Sequence, residues 1–371
     1  MGIKVKKVET SQELKQFMQF PWQIYTSDKN WVPPLNFDVS RRLDRKHNHY
    51  FEHAKAEYYL AEKDGKVAGR ISAQVDEFYF EHWGERVGHF GFFEAINDQE
   101  VASALFDAAA KWLKSQGREK MHGPYNFTIN DECGLLVDGF DTPPMILMTH
   151  NPPYYQGLCE KFGMKKAMDL LAYKTESTTK PDPAVVNFSE MLKKKHEIKV
   201  RNMDWRNFGK EMDNFVEIYN SAWEKNWGMV PVTEKELRSH SAELRLLAMF
   251  WPEMNFFAEV GGKVVGMSIT LPNFNEVIIN LNGKILSPNL YQFLTHKIQS
   301  CRVFALGVKE EYRRLGVGAV FYVETLNAAL KGGFKWGEMS WILENNGPMR
   351  RAIERMGGYV YKTYRIYEFP L

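Results

Sequence analysis

Two segments of the chain repeat one pattern of apolar and polar positions around a two-residue turn. Residues 61–69 (AEKDGKVAG) and 258–266 (AEVGGKVVG) share Ala, Glu, Gly, Lys, Val and Gly, each at an offset of 197. Asp64-Gly65 and Gly261-Gly262 are dipeptides typical of tight hairpin turns, and apolar residues flank both. The pattern predicts one β-hairpin in each half of the chain.

The order of elements after each hairpin is also shared. Apolar residues recur at helical spacing over residues 100–115 in the first half and 318–330 in the second. In each half a shorter helix then ends in glycine, at Gly163 and at Gly357-Gly358, and a strand follows. We therefore predict an α/β (α+β) protein with two related domains, each a mixed central sheet flanked by helices. Two unrelated domains that each contain a hairpin are the alternative.

A polar segment with two prolines, residues 175–183 (TESTTKPDP), has the composition of a linker. It predicts one domain over residues 1–178 and a second over residues 184–371. The lysine run that follows at 193–195 is more typical of a solvated helix end than of a phosphate site.

Composition narrows the classes of function. The 371 residues carry 48 Lys and Arg against 46 Asp and Glu, a net charge of +2, which disfavours a general nucleic-acid binder. Three widely spaced cysteines give neither a disulfide framework nor a metal motif. No apolar run approaches the ~20 residues of a membrane-spanning helix, and the first residues lack the apolar core of a signal peptide. We expect a cytoplasmic protein, with contact at the inner face of the membrane left open.

The segment with the clearest chemistry is residues 301–330. A buried strand (303–308) and a charged turn (309–314) lead into Leu315-Gly316-Val317-Gly318-Ala319, which opens a helix. Glycines allow close approach of the backbone, and the free N–H groups and dipole of the first helical turn attract anions. Arg313 and Arg314 can add charge-assisted hydrogen bonds. The segment predicts a phosphate-binding loop.

The spacing Arg313-x-x-Gly316-x-Gly318 lacks the Gly-Lys-Ser/Thr of a P-loop and the third glycine of a dinucleotide fingerprint. It resembles the Arg/Gln-x-x-Gly-x-Gly/Ala pyrophosphate loop of the GNAT (Gcn5-related) acyl-CoA N-acyltransferase superfamily. Asn346 and residues 353–358 resemble the superfamily's second signature, an Asn followed by a helix that closes as Tyr-Glu-Lys-Leu-Gly-Phe. Ile353 stands where many members carry the Tyr that protonates the leaving thiolate, so that role does not carry over.

The resemblance implies two GNAT-like domains and acetyl-CoA or a longer acyl-CoA as cosubstrate, with no metal. It also implies a pantetheine notch where strands 303–308 and 336–341 diverge, with a backbone N–H near Gly307 as oxyanion donor. Simple tight packing is the alternative role of that glycine. The residues implied to bind acyl-CoA are Leu306, Gly307, Val308, Arg313, Arg314, Leu315, Gly316, Val317, Gly318, Ala319 and Asn346.

The catalytic candidates are Glu344 and Asn346, with Glu311 and His296 as further candidates for the base that takes the proton of the amine. Each has a structural alternative. A glutamate at a strand end is often solvated, and Asn346 before Gly347-Pro348 is a typical helix cap. A histidine in the helical pattern of residues 288–299 is most often on the surface.

The first half lacks the glycine loop. Residues 94–100 (EAINDQE) contain three acids and no glycine, and acids would repel a pyrophosphate. We predict that the first domain is a degenerate copy in which Asn97 or Asp98 caps the helix.

Candidate substrate contacts occur in both halves. Tyr125 and Asn126, with the polar residues 130–132, either build turns or recognise a hydroxylated amine. Tyr219, Trp223 and Trp227 lie at i, i+4 and i+8, which is typical of a buried helix face but also suits the wall of an acyl channel.

A narrower resemblance extends along the chain. The segments 123–126 (GPYN), 134–140 (GLLVDGF), 151–155 (NPPYY), 341–344 (WILE) and 362–368 (KTYRIYE) are similar to a bacterial family of tandem GNAT-like proteins. Some members are similar to bacterial ceramide synthases, which acylate a long-chain amino alcohol. The leading hypothesis is an N-acyltransferase acting on a small-molecule or lipid amine. A non-catalytic acyl-CoA sensor and a nucleotide-binding protein are the alternatives, and the oligomeric state stays open.

Overall fold

The computed structural model describes residues 2–239 and 251–371. Spatial contacts divide the chain into two compact units. Unit 1 comprises Met1–Leu170, Ile278–Phe293 and Lys362–Leu371, and unit 2 comprises Leu171–Val277 and Leu294–Tyr361. This division assigns the last ten residues to unit 1. The boundaries at residues 178 and 184, which follow the sequence repeat, stay a prediction.

Fifteen strands are present in the described residues. They are β1 (Lys4–Lys7), β2 (Ala54–Lys63), β3 (Lys66–Asp76), β4 (Val87–Ala95), β5 (Lys120–Gly123), β6 (Tyr125–Asn126), β7 (Glu132–Cys133), β8 (Leu135–Asp138), β9 (Lys165–Glu176), β10 (Lys199–Asn202), β11 (Asn255–Val260), β12 (Lys263–Pro272), β13 (Ser300–Val308), β14 (Trp336–Leu343) and β15 (Tyr359–Pro370).

The α-helices that lie wholly within the described residues are α1 (Ser11–Gln19), α2 (Pro21–Ile24), α3 (Asn36–Arg42), α4 (Glu77–Trp83), α5 (Gln99–Ser115), α6 (Tyr154–Phe162), α7 (Pro183–Lys195), α8 (Phe208–Trp223), α9 (Asn275–Ile278), α10 (Gln292–Thr295), α11 (Val317–Lys331) and α12 (Gly347–Arg355). Short 3₁₀ segments occur at His49–Glu52, Trp205–Asn207, Pro252–Met254, Ile279–Leu281, Pro288–Tyr291 and Glu310–Leu315. The predicted helix at 288–299 is therefore wrong as a single element: Pro288–Tyr291 and α10 account for its first eight residues, and β13 begins at Ser300.

Unit 1 is built on a mixed sheet in the order β1-β2-β3-β4-β5-β15. All neighbours in it are antiparallel except β4 and β5, and Tyr367 of β15 lies opposite Gly123 of β5. α5 packs on this sheet because its buried residues recur at helical spacing and face the strands. They are Val101, Ala102, Leu105, Phe106, Ala109 and Leu113.

Unit 2 repeats the arrangement with the strand order β10-β11-β12-β13-β14. Among the described strands of this order, β13 and β14 pair in parallel and the other neighbours are antiparallel. The end of β9 contributes Leu171 and Tyr173 to an apolar cluster with Ile342 of β14 and Ile353 of α12. The predicted fold class, a mixed sheet flanked by helices in each half, is confirmed.

The two hairpins match in detail. Asp64-Gly65 and Gly261-Gly262 form two-residue turns with positive φ at every position (54°, 77°, 57° and 78°), as the twist of a tight hairpin requires. The strand register slips between Ala61 and Glu62 in one hairpin. It slips between Ala258 and Glu259, the matching residues of the repeat, in the other. The repeat therefore extends to a bulge at the same position.

Among the helices of the described residues, none is both long and apolar enough to cross a bilayer.

Candidate functional site

β13 and β14 of unit 2 run side by side only along their first halves. The register runs from Ser300 opposite Trp336 to Val303 opposite Met339. In the described chain, the remainders of the two strands (304–308 and 340–343) do not pair with each other, so the strands diverge. This divergence lies where the notch is predicted, and the gap between residues 304–308 and 340–343 is called the cleft below.

The loop after β13 forms a helix N-terminus with free donors. The 3₁₀ segment Glu310–Leu315 ends at Gly316, which has φ of +77° and precedes the first residue of α11. The amides of Ala319 and Val320 donate to the Gly316 carbonyl. The amides of Val317 and Gly318 have no intrahelical acceptor, because a helix cannot satisfy its first N–H groups. They supply donors for an anion, which the helix dipole also favours.

The two glycines of this loop have different surroundings. A Cβ on Gly316 would come within 2.5 Å of Leu192 of α7, so this glycine is needed for its positive φ and for packing. A Cβ on Gly318 would meet only the hydroxyl of Tyr322, at 4.0 Å. The backbone of Gly318 is therefore open on that side, and a side chain there would occupy the space in front of the free amides. This open backbone fits the close approach of a diphosphate.

The two arginines of the motif also differ. The Arg313 guanidinium donates to the carbonyls of Val308 (3.3 Å) and of Ala222 at the end of α8 (2.6 Å). It ties the loop to the strand and to the helix beside it. Arg314 is exposed. The neighbouring Glu310 pairs with Lys225 at 2.7 Å, so its charge is compensated. Hydrogen bonds to neutral carbonyls leave the charge of Arg313 in place, so both arginines are cations of this loop.

Gly307 lies under an aromatic ring. A Cβ on Gly307 would come 2.5 Å from Cζ3 of Trp223 and 2.8 Å from Cβ of Ala222. The ring of Trp223 stacks on Tyr219 with 4.8 Å between centroids. Tight packing thus accounts for this glycine, and it places a half-buried aromatic face beside the diverging strands. α8 ends at Trp223, so the prediction that Trp227 continues the same helical face is wrong: a turn follows, in which the Asn226 amide donates to the Trp223 carbonyl.

A buried ion pair closes the paired end of the cleft. Arg302 of β13 and Glu338 of β14 lie opposite each other, with 3.6 Å between Nε and Oε1, and both side chains are at most 2% exposed. The hydroxyl of Ser340 joins them: it accepts from Arg302 Nε (3.0 Å) and donates to Glu338 (2.6 Å). Tyr361 donates a further hydrogen bond to Glu338. Buried charges persist when hydrogen bonds satisfy them in this way.

The catalytic candidates from the second signature lie at the start of α12. Asn346 caps this helix, accepting from the Met349 amide at 3.3 Å, and the Glu344 carbonyl accepts from Arg350 at 2.8 Å. Ile353 is 4% exposed, inside the apolar cluster with Leu171 and Ile342. The Ile353 side chain therefore packs in this apolar cluster.

The other base candidates lie elsewhere in unit 2. Glu311 is exposed in the 3₁₀ segment. His296 follows α10, and its Nε2 lies 3.2 Å from the Glu276 carboxylate. The surface position expected as the alternative for His296 is the one observed.

In unit 1 the corresponding strand end and helix N-terminus are hydrogen-bonded to side chains of the same unit. Asp98 caps α5 and accepts from the Glu100 amide at 2.9 Å, and it pairs with Lys63. Of the two predicted caps, Asn97 and Asp98, the structure uses Asp98. The amide of Ala95 donates to the Tyr155 hydroxyl and the carbonyl of Ala95 accepts from Tyr154. The strand end and the helix N-terminus therefore face side chains of unit 1, which supports a degenerate first copy.

Two features of this site are not predicted by the sequence pattern: the Arg302–Glu338 pair and Tyr322. Charged residues inside an otherwise apolar strand pattern were the available signal for the pair. Burial raises the pKa of Tyr322, so its hydroxyl stays protonated and can donate one turn beyond Gly318. Tyr125 and Asn126 belong to unit 1, where Tyr125 is 2% exposed and Asn126 lines a polar cavity of that unit.

Comparison with known proteins supports the fold and a relationship. The chain is 38% identical over 366 residues to protein YghO of Escherichia coli K12, covering 96% of this chain and 92% of that protein. It is 37% identical over 379 residues to the bacterial ceramide synthase of Caulobacter vibrioides, covering 100% and 98%. A solved tandem GNAT protein from the clavulanic acid biosynthesis pathway superposes with a TM-score of 0.57 at 9% identity, over 100% of this chain and 98% of that chain. No protein-family model matches. The likeness of the solved structure shows that the fold is that of a tandem GNAT protein.

Proposed function

We propose that this chain, which belongs to the family of the Caulobacter vibrioides bacterial ceramide synthase and Escherichia coli YghO, is an acyl-CoA-dependent N-acyltransferase. The observation that carries the proposal is the open backbone of Gly318 in the first turn of α11, next to the cleft between β13 and β14. The free amides and Arg314 would hold the diphosphate of CoA. The cleft would hold the pantetheine arm.

The reaction is direct transfer. A neutral amine attacks the thioester carbonyl carbon, the C–S bond breaks, and the proton lost by the nitrogen ends on the CoA thiol. All three cysteines are buried, and burial raises the pKa of Cys301 to about 12. Cys301 is therefore held as a thiol and is unsuited to carry the acyl group in a covalent intermediate. Glu344 and Asn346 remain proposed participants, and CoA thiol is a tolerable leaving group without the usual tyrosine.

The acyl donor is proposed to be long and the acceptor a lipid amine. The half-buried ring of Trp223 over Gly307 offers an apolar wall beside the diverging strands, which suits an alkyl chain. The name of the Caulobacter relative agrees with this choice. An acetyl group has too few carbons to cover this apolar wall.

A membrane contact is proposed for unit 1, because a lipid amine resides in a bilayer. Ile285 and Leu286 form an apolar tip and are 43% and 92% exposed, and Tyr291, five residues further along the chain, is exposed as well. The Asn36 amide and side chain both donate to the Gly283 carbonyl at 3.0 Å, which anchors the loop before this tip. An anchored, exposed apolar tip beside Lys284 suits a shallow insertion among lipid headgroups.

A non-catalytic sensor is the second candidate, and the buried Ile353 in place of a catalytic tyrosine favours it. One experiment separates the two. The protein is incubated with acetyl-CoA or palmitoyl-CoA and a panel of amines that includes sphinganine, and free thiol and the amide product are measured. Thiol release that requires the amine is the expected result. Tight binding of acyl-CoA with no release for any amine would establish the sensor. Absence of both binding and release would refute the loop assignment.

A further inference from the structure

The last turn of α7 lies beside the glycine loop of unit 2. α7 begins next to the end of α12, where the Asp182 amide donates to the Arg355 carbonyl at 3.1 Å. It ends next to α11, because a Cβ on Gly316 would come within 2.5 Å of Cδ1 of Leu192. The sequence pattern favours a solvated helix end for the lysine run 193–195, but the fold brings this run to the loop.

The three lysines of the run point in different directions. Lys193 is neutralised, since its Nζ lies 2.5 Å from Glu324 of α11 and 3.1 Å from Glu190. Lys194 and Lys195 are exposed, and within the described part of the chain neither side chain has an ion-pair or hydrogen-bond partner.

Helix geometry separates the two exposed lysines. Lys195 follows Leu192 by three residues, so it lies one turn further along on the side of α7 that touches Gly316. Lys194 follows Leu192 by two residues and lies on the opposite side of the helix. Of the three lysines, Lys195 is therefore the one that is both uncompensated and on the side of the glycine loop.

The end of α7 is capped by the backbone that follows it. The Leu192 carbonyl accepts from the His196 amide at 3.0 Å, and the Lys193 carbonyl accepts from the Ile198 amide at 3.1 Å. These bonds satisfy two of the carbonyls that give a helix C-terminus its partial negative charge. The turn that carries Lys195 is therefore compatible with an anion.

The charges of the two neighbouring segments, residues 190–197 and 310–314, leave a positive excess. Lys193 is paired with Glu190 and Glu324, and Glu310 is paired with Lys225 at 2.7 Å. With His196 neutral, the other charges of the two segments are four cations and two carboxylates: Lys194, Lys195, Arg313 and Arg314 against Glu197 and Glu311. An excess of two positive charges attracts a polyanionic ligand.

CoA carries one phosphate group more than the glycine loop is proposed to hold. Two of its phosphates form the diphosphate, and the third is a monoester on the 3′ oxygen of the ribose that bears the diphosphate. Such a monoester carries a charge of about −1.5 to −2 at pH 7 and has three strong acceptor oxygens. A lysine ammonium pairs with it as a point charge. Lys195 is placed to meet a group that lies one sugar ring away from the loop.

We propose that Lys195 binds the 3′-phosphate of CoA and makes this protein select CoA over 3′-dephospho-CoA. The proposal rests on the proposed function, because it needs the diphosphate of the cosubstrate at the glycine loop. It adds a specificity-determining residue from α7, which lies outside the segments that resemble the GNAT signatures. It is independent of the acyl chain and of the acceptor amine.

The test is calorimetric titration of the full chain with CoA and with 3′-dephospho-CoA. We expect the parent to bind CoA about fivefold more tightly, which is the scale of one charged contact at an exposed position. Lys195→Gln should bind both compounds with the affinity that the parent has for 3′-dephospho-CoA. Lys194→Gln is the matched control, since it removes an exposed lysine from the same turn on the opposite side, and it should keep the fivefold preference.

The outcomes separate this proposal from the proposed function. Equal binding of the two compounds by the parent would overturn the role of Lys195 and leave the glycine loop supported. A preference that survives in Lys195→Gln, or that is lost equally in Lys194→Gln, would also overturn it. Binding of neither compound by the parent would refute the loop assignment, and this proposal with it.

Discussion

Glu94 of β4 and Gly307 of β13 occupy the same position of the internal repeat. Each directly precedes the residue that pairs with the last glycine of its repeat segment, since Gly69 lies opposite Ala95 and Gly266 lies opposite Val308. In unit 2 the position has no side chain, and the ring of Trp223 lies against it. In unit 1 it carries a carboxylate that faces a polar cavity. The same strand position thus carries a glycine beside an apolar cleft in unit 2 and a glutamate beside a charged pocket in unit 1.

Substitution of Gly318 should remove acyl-CoA binding without loss of stability. In Gly318→Leu the side chain would fill the open space before the free amides of α11. Loss of one hydrogen bond to a charged group, worth about 1.5–3 kcal/mol, corresponds to about 10- to 150-fold in affinity. The matched control is Gly209→Leu, because Gly209 is also the second residue of a helix and has open space around it. Calorimetric titration with CoA and a thermal melt make the comparison, and equal CoA affinity in both variants would contradict the loop assignment.

Gly307 and Trp223 should behave as a coupled pair. In Gly307→Ala the new methyl group would lie 2.5 Å from the indole ring, an overpacking that costs about 1–3 kcal/mol. Trp223→Leu makes room, so the double variant should recover most of that stability. Denaturant unfolding of the four proteins gives the coupling energy. Strict additivity of the two changes would show that the ring does not confine this strand.

Removing one partner of the Arg302–Glu338 pair should destabilise the protein, whereas replacing both partners with apolar residues should cost little stability. Glu338→Leu leaves a buried, uncompensated guanidinium, which destabilises a protein by about 3–5 kcal/mol. The double variant Arg302→Met/Glu338→Leu removes both charges and should restore most of the loss. Chemical denaturation measures both. If the single variant were as stable as the parent, the pair would have to be solvated rather than buried.

Two buried histidines of unit 1 should make the protein sensitive to acid. Burial lowers the pKa of His89 to about 3 and that of His122 to about 4, below the ordinary value near 6.5. The unfolded chain then binds more protons between those values, so stability falls as the pH drops below about 6.5. The slope is about 1.4 kcal/mol per pH unit for each histidine. His89→Gln should reduce the slope of unfolding free energy between pH 6.5 and 4 relative to the parent, and an unchanged slope would show that His89 is already solvated.

The exposed tip at Leu286 should bind membranes. Burial of a leucine side chain is worth about 1.5–3 kcal/mol, so Leu286→Glu should lower vesicle binding about tenfold or more. Cosedimentation with anionic phospholipid vesicles measures it. Leu330→Glu, a partly exposed leucine of unit 2, is the control and should bind like the parent. Parallel losses in both variants would argue against a specific membrane-facing tip.

Turn dipeptides and the spacing of apolar residues predicted the elements that are determined by residues close together in the sequence. Both hairpin turns, the helix from 100 to 115, and the helix after the glycine loop follow from turn chemistry and apolar spacing, and the structure confirms them. Trp227 could not be placed, because spacing alone does not show that α8 stops at Trp223. The cavity of unit 1 could not be predicted from the sequence for a different reason. Arg70, Glu94 and His150 come from distant segments, and only the fold brings them to one place.

The pairing of β15 with β5 has a consequence for synthesis on the ribosome. The edge of β5 in unit 1 pairs with residues 367–370, and Tyr367 is part of the main apolar core of that unit. These residues are translated long after β5, so the edge of β5 stays open while the intervening residues 124–366 emerge. Such an edge is a template for wrong partners. A gene truncated before codon 362 should therefore yield an N-terminal fragment that depends on chaperones or aggregates, and supplying the missing segment as a separate peptide should restore its solubility.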